Sequence, residues 1–495
     1  MRTRYFLSGK HVGILMLISI FSFSGCKKFL DINENPNNPD SATPALLLPT
    51  VEAALGQVVG NSFQIYGGIW SQYWAQNVAS SQYKTIEDYN VANTAFNVAW
   101  RILYRNALNN AQLIINDQDN PSSEYYKAIA YILKAYAFQV ATDAFGDIPL
   151  TEALNANEYS DPNYDSQAVV YDSIFYYLDQ GITLAGTTNA VDPGAQDMIF
   201  QGDMDRWISF ANILKLKAYL RLSEINPELA SSGIQDLYSA GAAFLDTDAQ
   251  IEYSTVGGNE NPLYNEMVGL GYTQNLIASR TAVSNFNRNN DPRVFKFYDP
   301  LLNANGEPQD SITSLPQGAY DNTDYTGRSY SPPSSLVGGR ANNTASAVAP
   351  VKFFSAAETY FLQAEAAVRG WGTADAESAF MQGIRESFTA VGLTSEADAY
   401  IANAPDAVFS GSEESRIKAI ITQKYYAMCG TQGFEAWTEW RRTGFPDFFV
   451  VSEASIIGAG RMPLRFPYPN SEITSNNNFP DTEFIYTPVW WDANP

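Results

Sequence analysis

Residues 352–391 read "KFFSAAETYFLQAEAAVRGWGTADAESAFMQGIRESFTAV". Phe354, Ala357, Phe361, Ala364, Val368 and Trp371 recur at the spacing of one apolar face of an α-helix, with Glu and Gln left on the other face. "GWGT" (370–373) interrupts the pattern, and Ala374–Val391 follows as a second segment of similar length. Glycines punctuate helices because they accept backbone conformations that side chains resist. The stretch therefore predicts a helical hairpin, with the apolar faces of its two helices packed together.

The same signal recurs along the chain. Trp207, Ala211, Leu214, Ala218 and Leu222 mark one helix, and Ile129, Leu133, Tyr136 and Val140 another. Trp100–Asn116 precedes Ser122–Phe145, Asp165–Ala185 and Asp205–Ser223 form a looser pair, and Glu413–Cys429 precedes a short segment around Phe434–Arg442. With Lys352–Trp371 and Ala374–Val391, these predict a mainly α fold of about four tetratricopeptide-like helix pairs. No charge-run linker divides the chain, so one interleaved domain over 26–495 is expected. Residues 250–350 ("GRSYSPPSSLVGGRANN" among them) and 457–495 break the periodicity with Asn, Gly, Tyr and Pro. Such irregular segments are expected to carry function.

At the N-terminus, Arg2, Arg4 and Lys10 precede an apolar run from Val12 to Phe23, short of the roughly 20 residues of a membrane-spanning helix. This is the pattern of an export signal, expected over 1–25. Phe23-Ser24-Gly25 then lead to Cys26, one of 2 cysteines in the chain. A cysteine here is open to four uses: disulfide bond, metal ligand, nucleophile or lipid attachment. Its place behind the signal resembles a bacterial lipobox, in which the thiol becomes acylated and anchors the mature protein. The Asn- and Pro-rich "KKFLDINENPNNPDSATP" after it reads as a tether. Cys429, in "KYYAMCGTQGF", reads as a buried thiol at a helix end rather than its disulfide partner.

Composition narrows the chemistry. Charged residues are only 17% of the chain, yet net charge is -23. That balance argues against nucleic acid and against an anionic substrate held by electrostatics alone. It suits a neutral, hydroxyl-rich ligand. The one histidine, His11, lies in the signal, which removes Ser-His-Asp and Cys-His catalysis and His-ligated metals from the mature chain. Carboxylate pairs such as Glu435/Glu439 and Asp143/Asp147 leave a glycoside hydrolase as one alternative. A helical-repeat adaptor that binds only protein is another. "DTDAQIE" (246–252) alternates oxygen ligands, but it lacks the glycine of a calcium loop and reads as a helix-to-loop turn. No cofactor or metal is expected.

Aromatic residues point to the ligand. "IWSQYWAQNVASSQYKTIEDYN" (69–90) interleaves rings with amides. Flat rings pack on the C–H faces of sugars while amides satisfy hydroxyls, and a peptide backbone is served by the same groups. Trp74, Asn77, Gln82, Tyr83 and Tyr89 are the candidates here, with Trp70 assigned to the core. In the loop-rich middle, Tyr272, Asn287, Tyr320 and Tyr325 are candidates, with Tyr264 and Tyr330 nearby in sequence. Trp490 and Trp491 are expected to pack.

Several segments carry a family likeness: "CKKFLDINENPNNP" (26–39), "AYAFQVATDAFGDIPLTEA" (135–153), "RWISFANILKLKAYLRLS" (206–223), "AAETYFLQAEAAVRGW" (356–371), "GFEAWTEWRRTGFP" (433–446) and "RMPLRFPYPNSEITSNN" (461–477). In their order and spacing they resemble the SusD/RagB family of outer-membrane nutrient-binding lipoproteins, in its SusD-like branch of Bacteroidetes. The resemblance implies a helical-repeat scaffold with a loop-borne ligand site. It also implies a lipid-anchored, non-enzymatic lid at the cell exterior that passes oligosaccharide, or sometimes peptide, to a SusC-like TonB-dependent barrel. Only Cys26 maps onto a functional position shared across that family.

Overall fold

The computed structural model describes residues 42–120 and 122–493; Cys26, the signal and the tether as far as residue 41 lie outside them. Helices α1 (Pro44–Gly60) and α2 (Ser62–Trp70) lead into the short strand β1 (Trp74–Gln76). Then α3 (Asn97–Arg101), a π-helical stretch (Ile102–Leu108) and α4 (Asn109–Asn116) continue as one unbroken rod. Helices α5 (Glu124–Phe145), α6 (Gln167–Ala185), α7 (Met204–Arg221) and α8 (Pro227–Ser239) follow. Strand β2 (Ala249–Ile251), α9 (Pro262–Gly269), β3 (Leu276–Ala278) and α10 (Arg280–Arg288) lie in the loop-rich middle. Strand β4 (Val351–Phe354), α11 (Ala356–Val368), α12 (Ala376–Thr389), α13 (Glu413–Met428) and α14 (Gly433–Thr443) come next, and α15 (Asn470–Ser475) sits in the closing segment.

The fold is mainly helical and built of tetratricopeptide-like pairs, and its helices start where the sequence supplies caps. Asp203, Ser355, Asp375 and Ser412 each accept a backbone N–H from the first turn of α7, α11, α12 and α13. Pairing differs in one respect from the sequence reading. The rod does pack on α5, and α6 on α7, but the most extensive helix contact is α5 against α6.

Two local expectations are corrected. Residues 351–354 form a strand, not the start of a helix. Val351, Phe353 and Phe354 favour extended backbone, and helix begins only after the Ser355 cap. Residues 249–251 are the partner strand, not a helix-to-loop turn, with Ala249 opposite Phe354 and Ile251 opposite Val351. The carboxylate of Asp248 is engaged by Lys352 Nζ at 2.5 Å and by Ala356 N at 2.9 Å, so it ties the strand pair to α11.

Helices α2 and α14 cross with their backbones in contact. A Cβ at Gly433 would lie 2.5 Å from Gly68 N, and one at Gly67 would lie 2.2 Å from Phe434 N. Only glycine permits this approach. Gln64 Oε1 accepts the Gly433 N–H at 3.0 Å and seals the crossing. The end of α2, and with it β1, is thereby fixed to the repeat scaffold.

The scaffold also buries an ion network. From α7, Arg221 donates to Glu439 at 2.6 Å and to Glu435 at 2.7 Å, both on α14. Lys217 lies 3.0 Å from both Glu358 and Glu435, and Arg442 forks onto Glu365 at 2.6 and 2.7 Å. Burial pushes the Glu365, Glu435 and Glu439 carboxyls up, but the surrounding cations win. Arg442, Lys424 and Arg221 hold Glu439 well below the usual carboxylate range; Glu435 and Glu365 are lowered in the same way.

Both sequence-noted carboxylate pairs thus have structural partners. Asp143 accepts from Tyr171 Oη at 2.6 Å and Trp491 Nε1 at 2.8 Å, and Asp147 accepts Gln167 N at the start of α6. The cavity beside Asp143, Lys217 and Glu435 measures about 30 Å³. That is far below the volume of small-molecule sites and leaves no room for a sugar ring.

The closing segment is packed. Phe466 stacks on Phe96 with centroids 4.2 Å apart, and Trp491 is fully buried, whereas Trp490 remains 43% exposed. Among the described residues no helix is long and apolar enough to cross a membrane.

Candidate functional site

The segment after α2 is shaped by buried side chains that bond to backbone. Trp70 Nε1 donates to Ile86 O at 3.0 Å. Gln76 closes the loop 77–83 from inside. Its Oε1 accepts Tyr83 N at 2.6 Å, and its Nε2 donates to Ser80 Oγ at 2.8 Å and Asn77 O at 2.9 Å. Glu87 Oε2 accepts Gln76 N at 3.1 Å, and its Oε1 accepts Gly318 N at 3.3 Å. Burial pushes the Glu87 carboxyl up to about 8, against the pull of those two N–H donors. Strand β1 pairs antiparallel with β3, Trp74 opposite Ala278, which brings the loop-rich middle alongside.

This frame holds a pocket of about 390 Å³ lined by Gln57, Tyr66, Gln82, Tyr83, Thr85 and Glu266, among others. The volume lies within the range of small-molecule sites. Tyr83 is 5% exposed, and among the described residues its Oη has no hydrogen-bond partner. A buried hydroxyl without a partner costs roughly 1–3 kcal/mol, a cost a bound ligand would relieve. Burial keeps both phenols protonated: Tyr66 is pushed up to about 12, and Tyr83 is raised further with help from Glu266. The pocket therefore offers neutral hydroxyls and amides, one carboxylate and aromatic edges.

The other sequence candidates divide between pins and surface. Trp74 is corrected from ligand contact to core: it is 0% exposed and lies over Gly68, where a Cβ would stand 2.5 Å from its ring. Tyr89 is buried, at a φ of 62°, and its Oη accepts Ser452 N at 3.2 Å. Asn77 is half-buried and ties loop to loop. Its Nδ2 donates to Gln274 O at 2.8 Å, and its backbone N donates to Asn275 O at 2.8 Å. Tyr320 is buried, its hydroxyl bonded to Asp88 and its ring 4.9 Å from Lys84 Nζ. Tyr89, Asn77 and Tyr320 thus shape loops, while the buried Trp74 Nε1 has no hydrogen-bond partner among the described residues.

Tyr325 is half-buried with its Oη accepting from Arg280 at 3.2 Å, while Tyr330 Oη donates to Tyr325 O. Tyr264 and Tyr330 are buried. Tyr272 is 47% exposed at a φ of 60°, a backbone conformation a bulky residue seldom adopts. Asn287 is exposed near the end of α10. Of the predicted residues, the pocket gathers Gln82 and Tyr83. Sequence reading missed Gln57, Tyr66 and Glu266. Tyr66 carried a signal, since it stands one helical turn before Trp70 and meets it edge-on with centroids 5.7 Å apart.

Known proteins resemble this chain over most of its length. Residues 36–469 match the family model SusD-like_2, described as starch-binding associating with outer membrane. A chitin-binding SusD homologue from Flavobacterium johnsoniae has a similar structure, with TM-score 0.74 and 23% identity, covering 91% of this chain and 98% of that one. A SusD homologue from Bacteroides vulgatus is similar at TM-score 0.70 and 25% identity, covering 88% and 92%. A SusD/RagB family protein from Bacteroides thetaiotaomicron is similar at TM-score 0.74 and 22% identity, covering 92% and 100%. No curated protein matches the chain.

Proposed function

The chain belongs to the SusD-like family, and from that membership we propose that it is a non-catalytic lipoprotein that binds oligosaccharide at the outer membrane and passes it to a TonB-dependent barrel. Acylation at Cys26 anchors it, the segment after Cys26 lets it stand off the membrane, and the helical pairs hold the loops in place. Gln82 and Tyr83 contact the ligand inside the pocket, with Tyr272, Tyr325 and Asn287 offered from the loop-rich face. Trp74 and Tyr89 support from beneath, and Asn77 and Tyr320 hold the loops.

One observation carries the reading: a buried, protonated, unpartnered Tyr83 hydroxyl in a pocket lined by amides. A sugar hydroxyl completes that hydrogen bond and needs no charge. The binding of chitin by a protein of the same fold supports a glycan over other neutral ligands.

Calorimetric titration of the folded chain with chito- and malto-oligosaccharides tests the proposal. Binding of at least one, weakened several-fold in Tyr83→Phe, is expected. Failure of every neutral oligosaccharide, alongside tight binding of peptides, would overturn the glycan reading. Hydrolysis abolished by changing a single Asp or Glu would overturn the non-catalytic one. Co-purification of a barrel protein from detergent-solubilised outer membranes is the expected partner result.

A further inference from the structure

A second cavity, of about 740 Å³, opens beside the α3–α4 rod. Val98 lines both it and the Tyr83 pocket, so the two are neighbours across that side chain. Arg101 and Arg105, exposed and one turn apart, line this cavity on either side of the start of the π-helical stretch. Stretches of that kind are rare in helices and recur at functional sites. Among the described residues neither arginine makes an ion pair or a side-chain hydrogen bond. That is unusual company for two cations in a chain with 53 acidic and 30 basic residues.

The cavity's own carboxylates are already engaged. Glu472 accepts from Trp100 Nε1 at 3.1 Å and from Tyr164 Oη at 2.9 Å. Glu152 accepts from Asn163 N at 2.7 Å and from its Nδ2 at 2.9 Å. Among the described residues the Asn109 side-chain amide makes no hydrogen bond, and it also lines the space. Tyr104 packs against Trp100 with ring centroids 4.6 Å apart and planes tilted by 31°, and Tyr159 stands 40% exposed at the rim.

We propose that this cavity is a second binding site, selective for a sugar that carries a carboxylate. The two guanidinium groups present the planar forks that fit a carboxylate. The Asn109 amide meets a ring hydroxyl, and Val98 with Tyr159 covers a C–H face. The chain's overall negative charge opposes capture of a polyanion by long-range field. It does not oppose a single carboxylate brought in on an otherwise hydroxyl-rich ligand and met at short range. The site is independent of the Tyr83 pocket, and the two can fail separately.

The test titrates the full chain with a galacturonic acid trisaccharide and with the galactose trisaccharide of the same linkage. The acidic sugar is expected to bind at least about tenfold more tightly, and the preference should shrink as salt is raised. In R101Q/R105Q the acidic sugar should lose at least about tenfold in affinity, with unchanged melting temperature because both side chains are exposed. Tyr83→Phe should leave acidic-sugar binding as it was. Equal binding of the two trisaccharides, or equal affinity in the wild type and R101Q/R105Q, would overturn the proposal. So would binding of a glutamate-containing tripeptide with none of the acidic sugar.

Discussion

Around Arg221, two glutamates sit at 2.6 and 2.7 Å and a lysine-glutamate web extends the pairing to Glu358. Around Tyr83, the buried groups are an amide that bonds to backbone, a Glu87 held largely neutral, and a phenol with no hydrogen-bond partner among the described residues. The scaffold surrounds its buried Glu365, Glu435 and Glu439 with cations and so is built to stay in one arrangement. The pocket, walled mainly by helices and reached from the loop by Gln82 and Tyr83, leaves a bond unmade. Buried charges held by several opposite charges confer rigidity, and a buried hydroxyl that lines a cavity without a partner is open to a ligand.

The largest expected effect tests the scaffold side. Arg221→Leu leaves Glu435 and Glu439 short of a cation in the interior and should cost about 3–5 kcal/mol, read by chemical denaturation. A small loss would mean the network is better hydrated than its burial implies.

Next comes pH, where the two regions should part company. Glu365, Glu435 and Glu439 are lowered in the folded state, so their stabilisation is full above the ordinary carboxylate value of 4.5 and is lost as pH falls below it. Glu87 is raised to about 8, so its contribution is full below 4.5 and is lost as pH climbs towards 8. Hydrogen exchange should show the scaffold helices loosening in acid and the amides of Gln76 and Gly318 loosening in alkali. Parallel behaviour of both would erase the contrast.

The crossing of α2 and α14 links the regions. Gly433→Ala places a Cβ 2.5 Å from backbone, where nothing can rotate away. It should cost about 1–3 kcal/mol and, by displacing the lead-in to β1, weaken glycan binding as well. Lost stability with unaltered binding would show that the pocket is positioned by other contacts.

Tyr83→Phe removes the unpartnered hydroxyl. Thermal unfolding should stay within about 0.5 kcal/mol of wild type or improve, while ligand affinity falls by about 1 kcal/mol. The smallest effect is expected at Tyr272→Gly, where relief of the positive φ is partly offset by a more flexible unfolded chain. Stability should rise by up to about 1 kcal/mol, measured by the shift in denaturant midpoint.

Helical periodicity made the scaffold legible, because an apolar residue every third or fourth position has few other uses. It failed at Phe354, where an aromatic residue in register with a helix belongs to the strand before the cap. The site was less legible. An aromatic-amide mixture marks a ligand surface and a tightly folded loop equally well, and spacing alone does not say which way a ring turns. Trp74 and Tyr89 point inward, Gln82 and Tyr83 reach the pocket, and Glu266 arrives from a helix distant in sequence. The crossing glycines had no local signature either, since what demands them is the other helix.

The Cys429 thiol sits at the end of α13, fully buried, with Tyr298 Oη 3.4 Å from its sulfur and its ionisation pushed upward by burial. Acylation at Cys26 would leave it as the sole thiol in the mature chain, since there are 2 cysteines in all. An alkylating reagent then finds nothing to react with until the interior opens. The pace of its labelling becomes a built-in clock for how often the molecule breathes, with and without sugar bound.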